Sequence, residues 1–240
     1  SRLEQGAVTA LTYGWFIMQV PETLIGTAIA TAMLPSISEY IARGEADKFR
    51  ETINRAVKTI LALTIPATVL LAVGIRPLVQ IAFNFSQEET ELVVWATRAF
   101  LLGLAGHSVF EIAARAFYAQ QNAVIPVLTS GYRFVVYLIL ALLLFRPLGA
   151  AGIGIADSVA ITTEAGILFY LLNRRYPGIV RIGWTLPRVL IGTLGGGLAV
   201  YLLIQFVSLP ILPLTMGSLV LGMGVVLPFA WPEVKSLVRL

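Results

Sequence analysis

His107, Glu111 and Arg115 stand four residues apart within an apolar stretch. On a helix that spacing places all three on one face. Glu111 can pair with either neighbour, and Arg115 carries a rigid fork of donors that suits phosphate or carboxylate. Two readings follow. The three form a polar stripe facing a hydrated cavity that holds an anionic group, or they form a self-satisfied ladder that fastens helices together. His107 alone reads as a packed, hydrogen-bonded imidazole, with proton coupling as the lesser reading.

Asp157 and Glu164 lie seven residues apart, close to two helical turns, and so share a face. They can accept a cation or pair with Arg133. Glu22 follows Pro21, and it either lines the same cavity or satisfies backbone donors freed around the proline. No catalytic constellation accompanies these groups. There is one histidine and no cysteine, so a multi-His metal site, a disulfide and thiol chemistry are all excluded. There is no phosphate-cradling glycine loop either, and no cofactor is expected.

The elements that carry these residues follow from composition. The chain has 240 residues, 58% hydrophobic and 12% charged, with a mean hydropathy of +0.85. Soluble domains are about 25% charged. Disorder, nucleic-acid binding and an ordinary soluble enzyme are excluded, and the solvent of this chain is lipid. A charge at mid-bilayer costs about 2.5–3.5 kcal/mol, so the polar residues above need partners or a cavity.

At about 20 residues per crossing, the apolar windows give about seven spans. They fall near Tyr13–Leu34, Val57–Ile75, Val93–Tyr118, Val127–Phe145, Gly152–Leu172, Pro187–Val207 and Pro213–Trp231. Helices are required, because a helix satisfies its backbone within one segment and these windows lack the alternation of barrel strands. The predicted fold is all-α, a multi-pass transmembrane bundle. Pro21 and Pro66 are expected to kink their spans. Gly192, Gly195–Gly197, Gly217, Gly222 and Gly224 read as packing surfaces.

Ser36–Lys58 is the longest polar stretch, broken by Gly44. From Asp47 it reads as an amphipathic helix with Phe49, Ile53 and Ala56 on one face, lying in the headgroup layer before turning into the second span. If this stretch is cytoplasmic, then Arg43, Lys48, Arg50, Arg55, Lys58, Arg174, Arg175, Arg181, Lys235 and Arg239 fall inside. Arg76, Arg146 and the acidic Glu88, Glu89 and Glu91 fall outside. That asymmetry predicts a cytoplasmic C-terminus. Ser86 to Glu89 matches a capping box, so a helix is expected from near Gln87. Ser1 is not an initiator methionine and no signal-peptide pattern opens the chain, so the sequence reads as a piece of a longer protein.

Four segments resemble the MurJ/MviN family of the multidrug/oligosaccharidyl-lipid/polysaccharide exporter superfamily. They are GTAIATAMLPSISEYIAR at Gly26–Arg43, FRETINRAVKTILALTIP at Phe49–Pro66, ARAFYAQQNAVIP at Ala114–Pro126 and PLGAAGIG at Pro147–Gly154. Order and spacing agree across about Gly6–Tyr176. In the first segment the helix would end at Leu34-Pro35-Ser36. The resemblance implies the second lobe of a two-lobed transporter (residues 1–176) followed by two C-terminal helices (residues 177–240). It implies a membrane flippase of the bacterial cytoplasmic membrane, not an enzyme. Its substrate would be lipid II, the lipid-linked peptidoglycan precursor, moved from inner to outer leaflet by alternating access.

The partners so implied are the anionic lipid-linked substrate, membrane lipids, the N-terminal lobe and cell-wall synthesis proteins, with no nucleic acid. Arg115 belongs to the matched ARAFYA segment. The chain departs from many members in its first span, where Phe16 and Gln19 stand at positions that carry an Arg and a Glu lining the cavity. Glu22 substitutes in part, at a different helix angle. The alternatives are an exporter of another lipid-linked polysaccharide or a drug, and a transport-inactive scaffold for cell-wall synthesis.

Overall fold

The computed structural model describes residues 6–83, 85–207 and 210–237. Among these the regular elements are all helical: α1 (Ala7–Pro21), a π-helical turn (Glu22–Thr27), α2 (Ala28–Ala42), α3 (Ala46–Phe83), α4 (Gln87–Leu101), α5 (Leu104–Ala119), α6 (Val124–Arg175), α7 (Thr185–Phe206) and α8 (Ile211–Leu237). Six continuous stretches are long and apolar enough to cross a membrane. The fourth of them, α6, would be about 78 Å long if straight. It is not straight. Gly149 adopts φ 55° and ψ −135°, outside the helical region. Beyond it the chain returns antiparallel, so that Thr129 meets Glu164, Arg133 meets Asp157, and Gly152 packs on the Leu144 carbonyl. Glycine tolerates that backbone conformation and that approach. The two arms, 124–148 and 150–175, are the two spans read there from sequence, so seven helical stretches among the described residues are long enough to cross a membrane.

Three boundaries differ from the sequence reading. Helix α2 does not stop at Pro35. It runs on to Ala42, and Gly44 at φ +71° makes the break. Helix α3 is continuous from Ala46, so no turn separates the amphipathic stretch from the second span. Its apolar face is buried in protein, not lipid. Phe49, Ile53 and Ala56 are fully buried in a cluster with Met33, Ile37, Phe117 and Leu172. The third span is interrupted, and α4 and α5 meet at Leu102-Gly103. The capping box forms as read: Glu89 N–H donates to the Ser86 hydroxyl, and the Glu89 carboxylate accepts from Ser86 N–H at 3.0 Å.

Helices α7 and α8 pair with each other and lie along α3. Gly196 and Gly222 pack backbone to backbone at their crossing, whereas Gly217 and Gly224 face open space. Two ends of the bundle can be told apart. At one end Arg50 donates to the Pro177 carbonyl at 3.1 Å, and Arg181 N–H donates to Asn54 at 2.8 Å. Thr59 reaches Glu233 at that end too. This gathers the basic segments of α3, the α6–α7 loop and the end of α8. Arg239 lies outside the described residues. At the other end Arg76 pairs with Glu91 at 2.6 Å. The bend of α6 with Arg146 sits against the starts of α1 and α4 there.

Candidate functional site

The polar residues of the spans converge where α1 and the π turn face α5 and both arms of α6. Three close approaches bring the elements together. A Cβ on Gly103 would lie 2.8 Å from Ser158 Cα, and one on Gly106 would lie 2.4 Å from Thr162 Oγ1. One on Gly26 would lie 2.8 Å from Ser108 Cα. Small residues at these crossings let backbones touch. His107, next to Gly106, is thereby carried against the second arm of α6, where it meets Asp157.

His107 Nε2 donates to Asp157 Oδ2 at 2.9 Å, and Arg133 donates to Asp157 Oδ1 at 3.0 Å. Both His107 and Asp157 are buried. The ionised carboxylate is acceptor-only, so its neighbours supply the protons. Arg133 also reaches Glu164 at 3.9 Å. Glu164 is 0% exposed, and one of its oxygens accepts from Thr129 at 3.1 Å and Ser130 at 2.9 Å. Its other oxygen is buried without a hydrogen bond among the described residues and has only the Arg133 charge, at 3.9 Å, to offset burial. Of the two uses read for Asp157 and Glu164, the geometry realises the pairing with Arg133.

The three-residue stripe on α5 divides. Glu111 pairs with Arg115, whose fork also donates to Thr31 at 3.2 Å. His107 takes Asp157 instead of Glu111. A cavity of about 280 Å³ lies beside them, lined by Trp15, Met18, Gln19, Glu22, His107, Phe110, Glu111 and Arg133. Arg115 is not among these lining residues. Trp15 meets the His107 ring edge-on at 5.4 Å between centroids. Glu22 accepts from Thr27 at 3.2 Å and from Thr23 at 3.4 Å, within the π turn that follows Pro21. The turn is defined by the Ala28 N–H reaching back five residues to the Thr23 carbonyl. Such π bulges recur at functional sites. Phe16 is exposed, and it borders a second, shallower hollow with Gln19.

One polar pair escaped the sequence reading. Arg188 pairs with Glu233, which also accepts from Thr185 at 2.9 Å. These groups join the facing ends of α7 and α8. The available signal was a pair of opposite charges just inside the start of one span and just past the end of the next.

The fold and site define an α-helical, multi-pass membrane protein with a charged cavity enclosed by apolar helices. The family model described as lipid II flippase MurJ matches residues 1–221, and the chain belongs to that family. The chain is similar to the "Probable lipid II flippase MurJ" of Rhizobium meliloti (strain 1021), 31% identical over 217 residues, covering 87% of this chain and 40% of the relative. It is similar to the "Lipid II flippase MurJ" of Burkholderia cenocepacia, 29% identical over 180 residues, covering 73% of this chain and 34% of the relative. A solved structure titled "Lipid II flippase MurJ, inward closed conformation" superposes with a TM-score of 0.82 at 20% identity, covering 97% of this chain and 48% of that one. The chain thus spans less than half the length of these proteins.

Proposed function

We infer that the protein carrying this chain is a flippase of the bacterial cytoplasmic membrane that moves lipid II from the inner to the outer leaflet by alternating access. The observation that carries this reading is the family match across most of the chain, joined to a charged cavity inside an apolar bundle. On this reading residues 1–176 form the second lobe and residues 177–240 add two C-terminal helices. The basic end faces the cytoplasm, and with it the C-terminus. The N-terminal lobe closes the other side of the cavity, and cell-wall synthesis proteins are partners.

The roles follow from the contacts. Gln19, Glu22, Glu111 and His107 offer polar contacts to a headgroup in the cavity. Asp157 and Glu164 position Arg133 at its wall. Arg115 is held ready by Glu111 and Thr31, and a phosphate that displaces Glu111 would meet its fork.

Charge favours a second reading. Of the charged lining residues, Glu22 and Glu111 outnumber Arg133, whose guanidinium is already paired with Asp157. An acidic wall suits a substrate with a cationic group, such as an amphiphilic drug.

Complementation separates the two readings. The full-length protein is expressed in bacteria depleted of their own lipid II flippase, beside Arg115→Ala, with expression matched. Rescue by the unmodified protein and loss in the variant supports lipid II transport through this site. Rescue by both keeps the activity and removes Arg115 from it. Failure of the well-expressed protein favours the second reading.

A further inference from the structure

At the end opposite the basic segments, the bend of α6 and the starts of α1 and α4 enclose a larger cavity of about 600 Å³. Arg146 stands at its wall, with no ion-pair or hydrogen-bond partner among the described residues. On the neighbouring helix α4, Glu91 holds Arg76 at 2.6 Å and Glu89 closes the capping box. Trp95 lines the same cavity while 57% exposed. The Arg98 guanidinium lies over its ring, 5.3 Å from the centroid.

Leu142 and Leu143 precede Arg146 by four and three residues on the same arm, so all three share a face. Both leucines are more than 60% exposed. Arg146 and the Trp95 indole thus line one cavity, and bare alkyl surface continues from Arg146 along α6. Indoles settle at the headgroup level of a bilayer, and long cationic side chains reach toward it.

We propose that this cavity binds the headgroup of a bilayer glycerophospholipid. The phosphate sits on Arg146, the glycerol lies against Trp95, and the acyl chains run along Leu142 and Leu143. This site is separate from the cavity at His107 and does not depend on which substrate that cavity takes.

The test is native mass spectrometry of the full-length protein in detergent, titrated with phosphatidylglycerol. Diacylglycerol of the same chains, inorganic phosphate and a polyprenyl diphosphate serve as comparison ligands. Arg146→Gln and Trp95→Leu are run in parallel, with thermal unfolding as the check on folding. The expected result is one phosphatidylglycerol whose affinity falls about tenfold in Arg146→Gln, the loss of one charge-assisted contact. A smaller loss is expected in Trp95→Leu. Equal retention by Arg146→Gln overturns the proposal, as does equally tight binding of diacylglycerol. Displacement by inorganic phosphate or by the polyprenyl diphosphate at equal concentration also overturns it, because the site then serves a free anion or a polyprenyl carrier.

Discussion

Asp157 receives His107 from α5 on one carboxylate oxygen and Arg133 from the facing arm of α6 on the other, at 2.9 and 3.0 Å. One side chain thus ties three helical segments together.

Replacing that carboxylate by an amide removes its charge and turns one of its two acceptor oxygens into a donor that faces His107 or Arg133. Asp157→Asn is expected to destabilise the protein by about 2 kcal/mol, the scale of a hydrogen bond to a charged group. Thermal unfolding in detergent measures it. The pair Asp157→Asn with Arg133→Gln should cost less than the sum of the single changes, because the contact is shared. Additive losses would show that the two groups do not act together.

The approach of α5 to α6 depends on absent side chains. Gly106→Ala would place a methyl group 2.4 Å from Thr162 Oγ1 and 3.1 Å from its Cα. Relief requires the helices to separate, at a cost of about 1–3 kcal/mol. The same thermal measurement should show Gly106→Ala mimicking the Asp157 variant. Gly166→Ala, where nothing lies within 4 Å, should be silent.

The bend of α6 depends on backbone freedom instead. A Cβ on Gly149 meets nothing within 4 Å, but its φ of +55° strains any other residue. Gly149→Ala should cost about 1–3 kcal/mol through conformation alone. An unchanged unfolding temperature would show that the bend relaxes without penalty.

Orientation is open to a direct measurement, because the chain has no cysteine of its own. In an otherwise cysteine-free protein, Glu88→Cys should react with an impermeant maleimide in intact cells. Arg174→Cys should react only after permeabilisation. The reverse pattern inverts the topology, and reaction of both from one side contradicts the separation of the two ends.

Much of the fold was legible because lipid permits few solutions. The apolar windows located the spans, including the pair that α6 joins without an intervening loop, and Ser86 with Glu89 marked the start of α4. Partner choice was less legible. The four-residue spacing of His107, Glu111 and Arg115 correctly shows that they are neighbours on one helix. It carries no information about what faces them, and His107 belongs to Asp157 fifty residues away. The break at Leu102-Gly103 and the buried face of the amphipathic stretch were hidden for the same reason. Both depend on contacts with distant elements: Ser158 at Gly103, and Met33, Phe117 and Leu172 at Phe49 and Ile53. Arg188 and Glu233 lay at the edges of windows chosen for hydrophobicity, where charges are common.

The π turn at Glu22–Thr27 holds one residue more than an α-helical path between the same flanks would need. An insertion of that kind is a rotational setting. Each residue turns a helix by about 100°, so deleting one from the turn would swing all of α1 by that angle relative to α2. Trp15, Met18 and Gln19 would leave the cavity together while every residue type stayed the same. In relatives of this chain, the length of this turn would therefore select which face of the first span lines the cavity, and a comparison that aligns residue types across the turn without regard to its length would pair side chains that point in different directions.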